Sequence, residues 1–141
     1  MRVEALIHRS PVTISSSATI KQAAEVFVRE GIGLLVIASS LNPVRAEAVL
    51  SERDVVRAIA AGMAAGTSLG SISTKKLVRI KRSEPLSRAV WLMMQNHIRH
   101  LVVENDDGTL FGVLSIRDFF FESRLLESFT KEESLEIHGG D

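Results

Sequence analysis

Two segments of this sequence place a serine three residues before an aspartate. They read Ser51-Glu52-Arg53-Asp54 and Ser115-Ile116-Arg117-Asp118, and each follows an apolar run. A hydroxyl and a carboxylate at this spacing can cap a helix, because they satisfy backbone N–H groups that the first turn leaves unpaired. The same carboxylate can instead accept hydrogen bonds from both hydroxyls of a ribose, each contributing about 1.5–3 kcal/mol. The serine hydroxyl would then bond to the sugar or to a phosphate.

Both segments keep an arginine as well as the serine and the aspartate. A helix cap alone would accept Ser, Thr, Asp or Asn, so the repetition of Ser-x-Arg-Asp favours a ligand for at least one of the two segments. Arg53 and Arg117 lie at predicted helix starts, where an anion is already favoured, and they are candidates for phosphate contact. The alternative for each arginine is an ordinary surface residue.

A third group of candidates lies at the start of a predicted strand. Ile98-Arg99-His100-Leu101 takes the position that Ile32-Gly33-Leu34-Leu35 takes earlier in the chain. Side chains alternate along a strand, so only one of Arg99 and His100 can point into a cleft there, and we expect phosphate contact from at least one. Gly33 leaves space for a base or for the close approach of a backbone.

These segments recur because the chain is a tandem repeat. Val12-Thr13-Ile14 returns 66 residues later as Val78-Arg79-Ile80, and Val49–Asp54 returns 64 residues later as Val113–Asp118. The two copies differ in length in a turn-rich segment, where a change of length costs least. Two copies of one structural unit are therefore expected.

Each copy is predicted to form a strand, a helix, two strands and a second helix, which is an α/β (α+β) unit. The first helices should end near Glu30 and Asn96, and the turn between the following strands makes each strand pair an antiparallel hairpin. A small sheet with helices on one face cannot bury itself, but two copies packed about a pseudo-twofold axis can. The expected division is a first repeat at residues 1–66, a second at 67–129 and a tail at 130–141.

The sequence also predicts how the first helix of each repeat begins. Thr19 and Gln22 have the spacing of a capping box. In the second repeat we expect Ser83 to cap the helix and Pro85 to lie in its first turn, where a missing N–H costs little.

Composition excludes several classes of function. Lysine plus arginine number 17 and aspartate plus glutamate number 17, so a neutral chain offers no global field for nucleic acid or anionic lipid. There is no cysteine, and His97 and His100 lack a third metal ligand nearby. No P-loop or catalytic triad is present, and no apolar stretch is long enough for a membrane span or a signal peptide. We expect a cytoplasmic protein that is not an enzyme and holds no metal.

The two strand-to-helix junctions resemble those of the CBS (cystathionine β-synthase) domain. In that family the junction reads as a small or apolar residue, two apolar residues, Ser or Thr, two variable positions and Asp. Ala48–Asp54 and Gly112–Asp118 both fit this pattern, and the resemblance covers roughly Met1 to Leu126. It implies a pair of CBS repeats that forms one compact module with two clefts between the sheets, and modules of this kind typically dimerise into a flat disc.

The resemblance also implies a function. Many CBS pairs bind an adenosine-containing molecule, and the family senses and regulates rather than catalyses. The expected ligand is an adenine nucleotide, AMP first and ADP or ATP next, with no cofactor, and its occupancy would be signalled to an effector protein. S-adenosylmethionine and NAD are alternative ligands. A structural dimerisation module, whose Ser-x-x-Asp pairs only cap helices, is the alternative without a ligand.

Site residues follow from the resemblance by position. Ribose contacts are expected from Ser51, Asp54, Ser115 and Asp118, phosphate contacts from Arg53, Arg99, His100 and Arg117, and base contacts from Val12, Thr13, Ile32, Gly33, Val78, Arg79 and Ile98. Sites in the family combine both repeats, which pairs Asp118 with Thr13, Ile32 and Gly33, and Asp54 with Arg79, Ile98, Arg99 and His100. The second of these sites has more groups for phosphate.

An apolar stripe near the end of the chain predicts a homodimer. Phe119-Phe120-Phe121 is followed by Leu125, Leu126 and Phe129, which is more apolar surface than one helix buries against its own sheet. Part of the stripe is expected in the core and the rest at a dimer face.

Overall fold

A computed structural model describes residues 1–120, 127–128 and 130–131. The six strands are β1 (Thr13–Ile14), β2 (Leu34–Ala38), β3 (Ala46–Ser51), β4 (Arg79–Lys81), β5 (His100–Glu104) and β6 (Leu110–Ser115). The helices are α1 (Ile20–Glu30), α2 (Glu52–Ala60), α3 (Leu86–Asn96) and α4 (Ile116–Phe120), with 3₁₀ turns at Val3–Leu6 and Leu69–Ser71. The predicted order of elements in each repeat is confirmed.

Each repeat builds a separate three-stranded sheet that contains one antiparallel hairpin. In both sheets the middle strand pairs in parallel with the short first strand and antiparallel with the third. Val36 pairs with Val49 in one sheet, and the equivalent Val102 pairs with Val113 in the other. The same register in both copies brings the two Ser-x-Arg-Asp segments to equivalent positions, at the ends of β3 and β6.

The N-cap of the first helix is as predicted in the first repeat and differs from the prediction in the second. Thr19 and Gln22 form the predicted capping box, with Gln22 N–H donating to Thr19 Oγ1 at 3.2 Å. The predictions for Ser83 and Pro85 are both wrong, because Pro85 is the extended N-cap of α3 rather than a residue of its first turn, and it makes no side-chain cap. Instead, Leu86 N–H donates to the Met1 carbonyl at 2.9 Å. The N-terminal residue of the chain therefore supplies the acceptor that the start of α3 lacks.

The 3₁₀ turn that precedes each repeat's first strand packs in the hydrophobic core of the other repeat. Val3 and Leu6, in the first 3₁₀ turn, are buried in the core of the second repeat, whereas Leu69, in the other turn, is buried in the core of the first. Removing a buried leucine of this kind typically costs about 2–5 kcal/mol. A boundary after residue 66 therefore separates the two copies in the sequence, but residues of each copy contribute to the core of the other.

A third cluster joins the two sheets. Val36, Ala46 and Val102 are buried together at the face where the sheets meet. The hairpin loops also touch, since Arg45 Nη2 donates to the Asp107 carbonyl at 2.8 Å. The two repeats thus share one packed interface, as the pseudo-twofold arrangement predicts.

The apolar stripe after the second junction is only partly described. Phe119 packs against the second core, whereas the Phe120 side chain is 61% exposed. Phe121, Leu125, Leu126 and Phe129 lie outside the described residues, as do residues 132–141 of the predicted tail.

Candidate functional site

A cleft of about 840 Å³ lies between the two repeats, within the size range of small-molecule sites. The first repeat lines it with residues 6–12, residues 31–34, residues 51–53 and Arg57, and the second with residues 97–100, Val113 and residues 115–118. The starts of the middle strands and the starts of α2 and α4 therefore open into one space. This space is called the cleft below.

The cleft is symmetric at its centre and asymmetric at its ends. Equivalent residues of the two repeats face it, among them Ser51 with Ser115 and Arg53 with Arg117. The segment before β1 lines it up to Val12, but the equivalent segment before β4, which ends at Val78, does not. One end of the cleft is consequently better walled than the other.

The better-walled end brings together most of one predicted site. Asp118 lines the cleft with Val12, Ile32 and Gly33, as expected for residues that share a ligand. Thr13 was predicted beside them, but it lies in β1 with an exposed side chain and does not line the cleft.

The other predicted site is assembled only in part. Ile98, Arg99 and His100 line the cleft, whereas Asp54, Val78 and Arg79 do not. Val78 packs against the core of the second repeat.

Arg79 makes an ion pair away from the cleft lining. Its Nη1 lies 2.8 Å from Glu104 Oε2, and the Glu104 side chain is only 6% exposed. A buried carboxylate needs such a partner, so this arginine compensates a charge within the second repeat.

Asp54 is engaged in a complete capping box. Its Oδ2 accepts from Ser51 N–H at 2.9 Å, and its own N–H donates to Ser51 Oγ at 3.1 Å. The serine and the aspartate therefore each satisfy a backbone N–H at the start of α2, as expected if this segment is a helix cap.

Asp118 differs from Asp54 in its bonds and surroundings. Its Oδ2 accepts from Ser115 N–H at 2.7 Å, but Ser115 Oγ accepts from Arg117 N–H instead of completing the box. Within the described part of the chain, the second oxygen of Asp118 has no hydrogen-bond partner. Burial raises the pKa of the Asp118 carboxyl, although the bond from Ser115 and the nearby His8 oppose the rise. A half-buried carboxylate with a free oxygen suits neutral hydrogen-bond donors such as sugar hydroxyls.

The cleft carries an excess of positive charge. Arg53, Arg57, Arg99 and Arg117 line it and have no ion pair with any described residue. A fifth arginine of the lining, Arg9, is paired with Glu30 at 3.0 Å. Among the described residues, the acidic side chains of the lining are Glu52 and Asp118. Concave walls with unbalanced cations concentrate anions from solution.

His100 contributes to the cleft as a neutral group. Its ring comes from the second repeat and lies over Gly33 of the first, so that a Cβ added to Gly33 would be 3.3 Å from His100 Nε2. Burial, together with the charges of Arg117 and Arg99, lowers the pKa of His100 to about 4. The group that lies close to Gly33 is this imidazole rather than a backbone, and the charge for a phosphate must come from the arginines.

A sequence profile for the CBS domain matches residues 3–61 and again residues 69–124. The chain belongs to the CBS domain family. The resemblance of the two strand-to-helix junctions is thereby confirmed, together with the fold of two tandem CBS repeats.

Known CBS proteins resemble this one over most of its length. A CBS domain protein of Pyrobaculum aerophilum, solved in complex with AMP, is 35% identical, with 93% of this chain and 99% of that one covered and a TM-score of 0.84. An uncharacterised 17.7 kDa protein of Acidianus ambivalens is 30% identical over 105 residues, which are 74% of this chain and 62% of that protein.

Longer proteins also contain a matching region. An inosine-5'-monophosphate dehydrogenase of Chlorobaculum parvum is 27% identical over 119 residues, 83% of this chain but only 24% of the enzyme. The chain therefore spans 62% or less of the length of these two curated relatives. A CBS pair is a regulatory module, and in such an enzyme it is one part of a larger protein.

Among the lining residues of this CBS pair that were not predicted, four have basic side chains: His8, Arg9, Arg57 and His97. The first two lie before β1, where no motif marks them. Arg57 follows Arg53 by one helical turn, and this spacing was a signal that could have identified it. His97 caps α3 in the left-handed conformation with φ 51°, at the position that Gly31 takes after α1.

Within the described ranges, no group of three or more His, Cys, Asp or Glu side chains could hold a metal ion. No helix in the same part of the chain has the length and apolar character needed to cross a bilayer.

Proposed function

We propose that this CBS pair binds an adenine nucleotide in the cleft and passes its occupancy to an effector protein. The observation that carries the proposal is the position of Asp118, a half-buried carboxylate that shares the cleft with four arginines. Among the described residues, one Asp118 oxygen has no hydrogen-bond partner and the four arginines have no ion pair. A ribose needs an acceptor for two hydroxyls, and a phosphate needs cations. The cleft offers both.

Each part of the nucleotide has candidate contacts. Asp118 would accept from the ribose hydroxyls, and the wall formed by Val12, Ile32 and Gly33 would contact the base. Arg99 and Arg117 would bind the phosphate, because guanidinium groups match its oxygens in pairs. His100 would add a neutral N–H donor.

AMP is the minimal ligand of this description. The Pyrobaculum aerophilum protein, 35% identical to this chain, was solved with AMP, and the two chains share length and fold. S-adenosylmethionine is disfavoured here, because its sulfonium and ammonium groups would face the unpaired arginines. NAD carries two phosphates and satisfies the charge, but it also requires room for a second nucleoside.

A purely structural role is the second candidate. Asp54 caps α2 and lies outside the cleft, so one of the two Ser-x-x-Asp segments acts as a helix cap. If this held for both segments, the chain would only assemble with a second copy. We expect a homodimer under either function, and a cytoplasmic location.

A screen of thermal stability separates the two candidates. The full chain is melted with AMP, ADP, ATP, S-adenosylmethionine and NAD, each in large excess. A ligand at one hundred times its dissociation constant raises the free energy of unfolding by about 2.7 kcal/mol. We expect this rise with the adenine nucleotides and not with S-adenosylmethionine. If none of the five raises the stability, the proposed function is wrong and the structural role stands.

A further inference from the structure

Two of the unpaired arginines lie one helical turn apart on α2. Arg53 and Arg57 both line the cleft, and both side chains are exposed. Like charges four residues apart repel each other and weaken a helix. No described acidic residue forms an ion pair with either of them, so this repulsion is not compensated within the described part of the chain.

Six other described arginines have a side-chain partner, whereas Arg2, outside the cleft, has none among the described residues. The contacts are Arg9 with Glu30, Arg29 with Glu30, Arg79 with Glu104, Arg82 with Glu4, Arg45 with the Asp107 carbonyl and Arg88 with the ring of Trp91. Four arginines that line the cleft have no partner among the described residues: Arg53, Arg57, Arg99 and Arg117. Their concentration in one cleft indicates that the missing partner is a ligand with several negative charges.

The arginine pair belongs to one repeat alone. In the sequence, the residue equivalent to Arg57 is Phe121, so the second repeat has Arg117 without a second arginine four residues later. The proposed ribose acceptor, Asp118, lies on α4, while the pair lies on α2 of the other repeat. A ligand that reaches both must extend across the cleft, whose volume is near the upper end of the range for small-molecule sites.

We propose that Arg53 and Arg57 bind the outer phosphates of a nucleoside triphosphate whose ribose is held at Asp118. The inference rests on the proposed function and specifies the ligand of the same site. A monophosphate brings about two negative charges, which Arg99 and Arg117 satisfy, and it leaves the α2 pair without a partner. A triphosphate adds charge and length toward that pair. This chain therefore prefers ATP to AMP.

Calorimetric titration of the full chain tests the preference. The ligands are AMP, ATP and inorganic tripolyphosphate, without Mg²⁺, and the variants are Arg57→Gln, Arg57→Lys and Arg88→Gln. We expect ATP to bind at least tenfold more tightly than AMP. Arg57→Gln should remove most of this difference while AMP binding stays within about twofold, and Arg57→Lys should retain part of it. Arg88→Gln removes the same charge outside the cleft and should change neither ligand.

The outcomes separate this inference from the proposed function. Equal binding of AMP and ATP, or an equal loss of both in Arg57→Gln, overturns the triphosphate preference and leaves nucleotide binding intact. Binding of tripolyphosphate that depends on Arg57, with no gain from the nucleoside, supports the anion site and overturns the nucleotide assignment. If none of the three ligands binds, both proposals are wrong. A thermal melt of each variant shows that it is folded.

Discussion

Asp54 and Asp118 begin equivalent helices, yet only Asp118 lines the cleft. Asp54 uses its carboxylate in a complete capping box, whereas one oxygen of Asp118 has no hydrogen-bond partner among the described residues, and burial raises the Asp118 pKa. The two segments share Ser, Arg and Asp, so the sequence predicted both as candidates and assigned more phosphate-binding groups to the site of Asp54 than to that of Asp118. Which aspartate lies in a complete site depends on which segment before a first strand lines the cleft, the one before β1 or the one before β4. This is decided by the packing of the two repeats.

His100 shows how the arginines act on a neighbour. Its imidazole is neutral near pH 7, since burial and the charges of Arg117 and Arg99 lower its pKa to about 4. An anion bound between those guanidinium groups would offset their repulsion of a proton. The histidine was predicted as a phosphate ligand from its position, but its charge state depends on burial that one sequence does not reveal.

The depressed pKa of His100 predicts an acid-sensitive stability. Between pH 6.5 and 4 the unfolded chain protonates this histidine and the folded chain does not, so the free energy of unfolding falls as the pH is lowered through that window. The loss from this group is on the order of 2–3 kcal/mol. Denaturant unfolding of the wild type and of His100→Gln at pH 7 and pH 4 measures it.

Replacement of His100 by Gln should flatten this part of the pH profile. His8→Gln removes an exposed histidine of the same cleft and is the matched control, which should retain the profile. An unchanged pH dependence in His100→Gln would contradict the assignment of a neutral, buried imidazole.

At the scale of single elements, local sequence signals predict a large part of the fold. The capping box at Thr19 and Gln22, the ends of α1 and α3, and both hairpins are present as expected. The start of α3 was predicted wrongly, because its first N–H group, that of Leu86, donates to the Met1 carbonyl rather than to Ser83. Such an acceptor is distant in sequence, and no local pattern encodes it.

Both first helices end in a left-handed residue, and this makes a prediction for Gly31. It has φ 63°, and an added Cβ would meet no atom within 4 Å, so the cost of Gly31→Ala is purely one of backbone conformation. We expect the free energy of unfolding to fall by about 1 kcal/mol. Gly66 is equally open but has no left-handed φ, so Gly66→Ala should leave stability unchanged or raise it by up to about 1 kcal/mol. Equal effects in denaturant unfolding would refute the argument.

The whole molecule is held together by exchange between its halves. Val3 and Leu6 complete the core of the second repeat, and Leu69 completes that of the first. The repeat period predicted two units and a pseudo-twofold axis, but not this exchange, because an apolar turn can pack on either neighbour. The same leading segment continues to Val12 along the cleft, so the exchange also decides which end of the cleft is walled.

Equivalent positions of the two repeats expose apolar side chains, which predicts a homodimer. The pairs are Val28 with Met94, 85% and 68% exposed, and Val56 with Phe120, 66% and 61% exposed. A second copy would bury these faces symmetrically. We expect sedimentation of the intact chain to show a dimer and Val56→Asp with Phe120→Asp to shift it to monomer. Leu41→Asp, at a side chain 96% exposed elsewhere, is the control. A wild-type monomer at all concentrations would contradict the dimer.

The central claim is that a nucleotide lies between the repeats with its ribose on Asp118. Calorimetric titration of AMP into Asp118→Asn and Asp54→Asn tests it most directly, since both variants remove one negative charge from equivalent helix starts. We predict that Asp118→Asn weakens AMP binding by tenfold to a hundredfold, from the loss of about 1.5–3 kcal/mol of hydrogen bonding, while Asp54→Asn binds AMP within about threefold of the wild type. Equal affinity of Asp118→Asn and the wild type, or a loss confined to Asp54→Asn, would contradict the account.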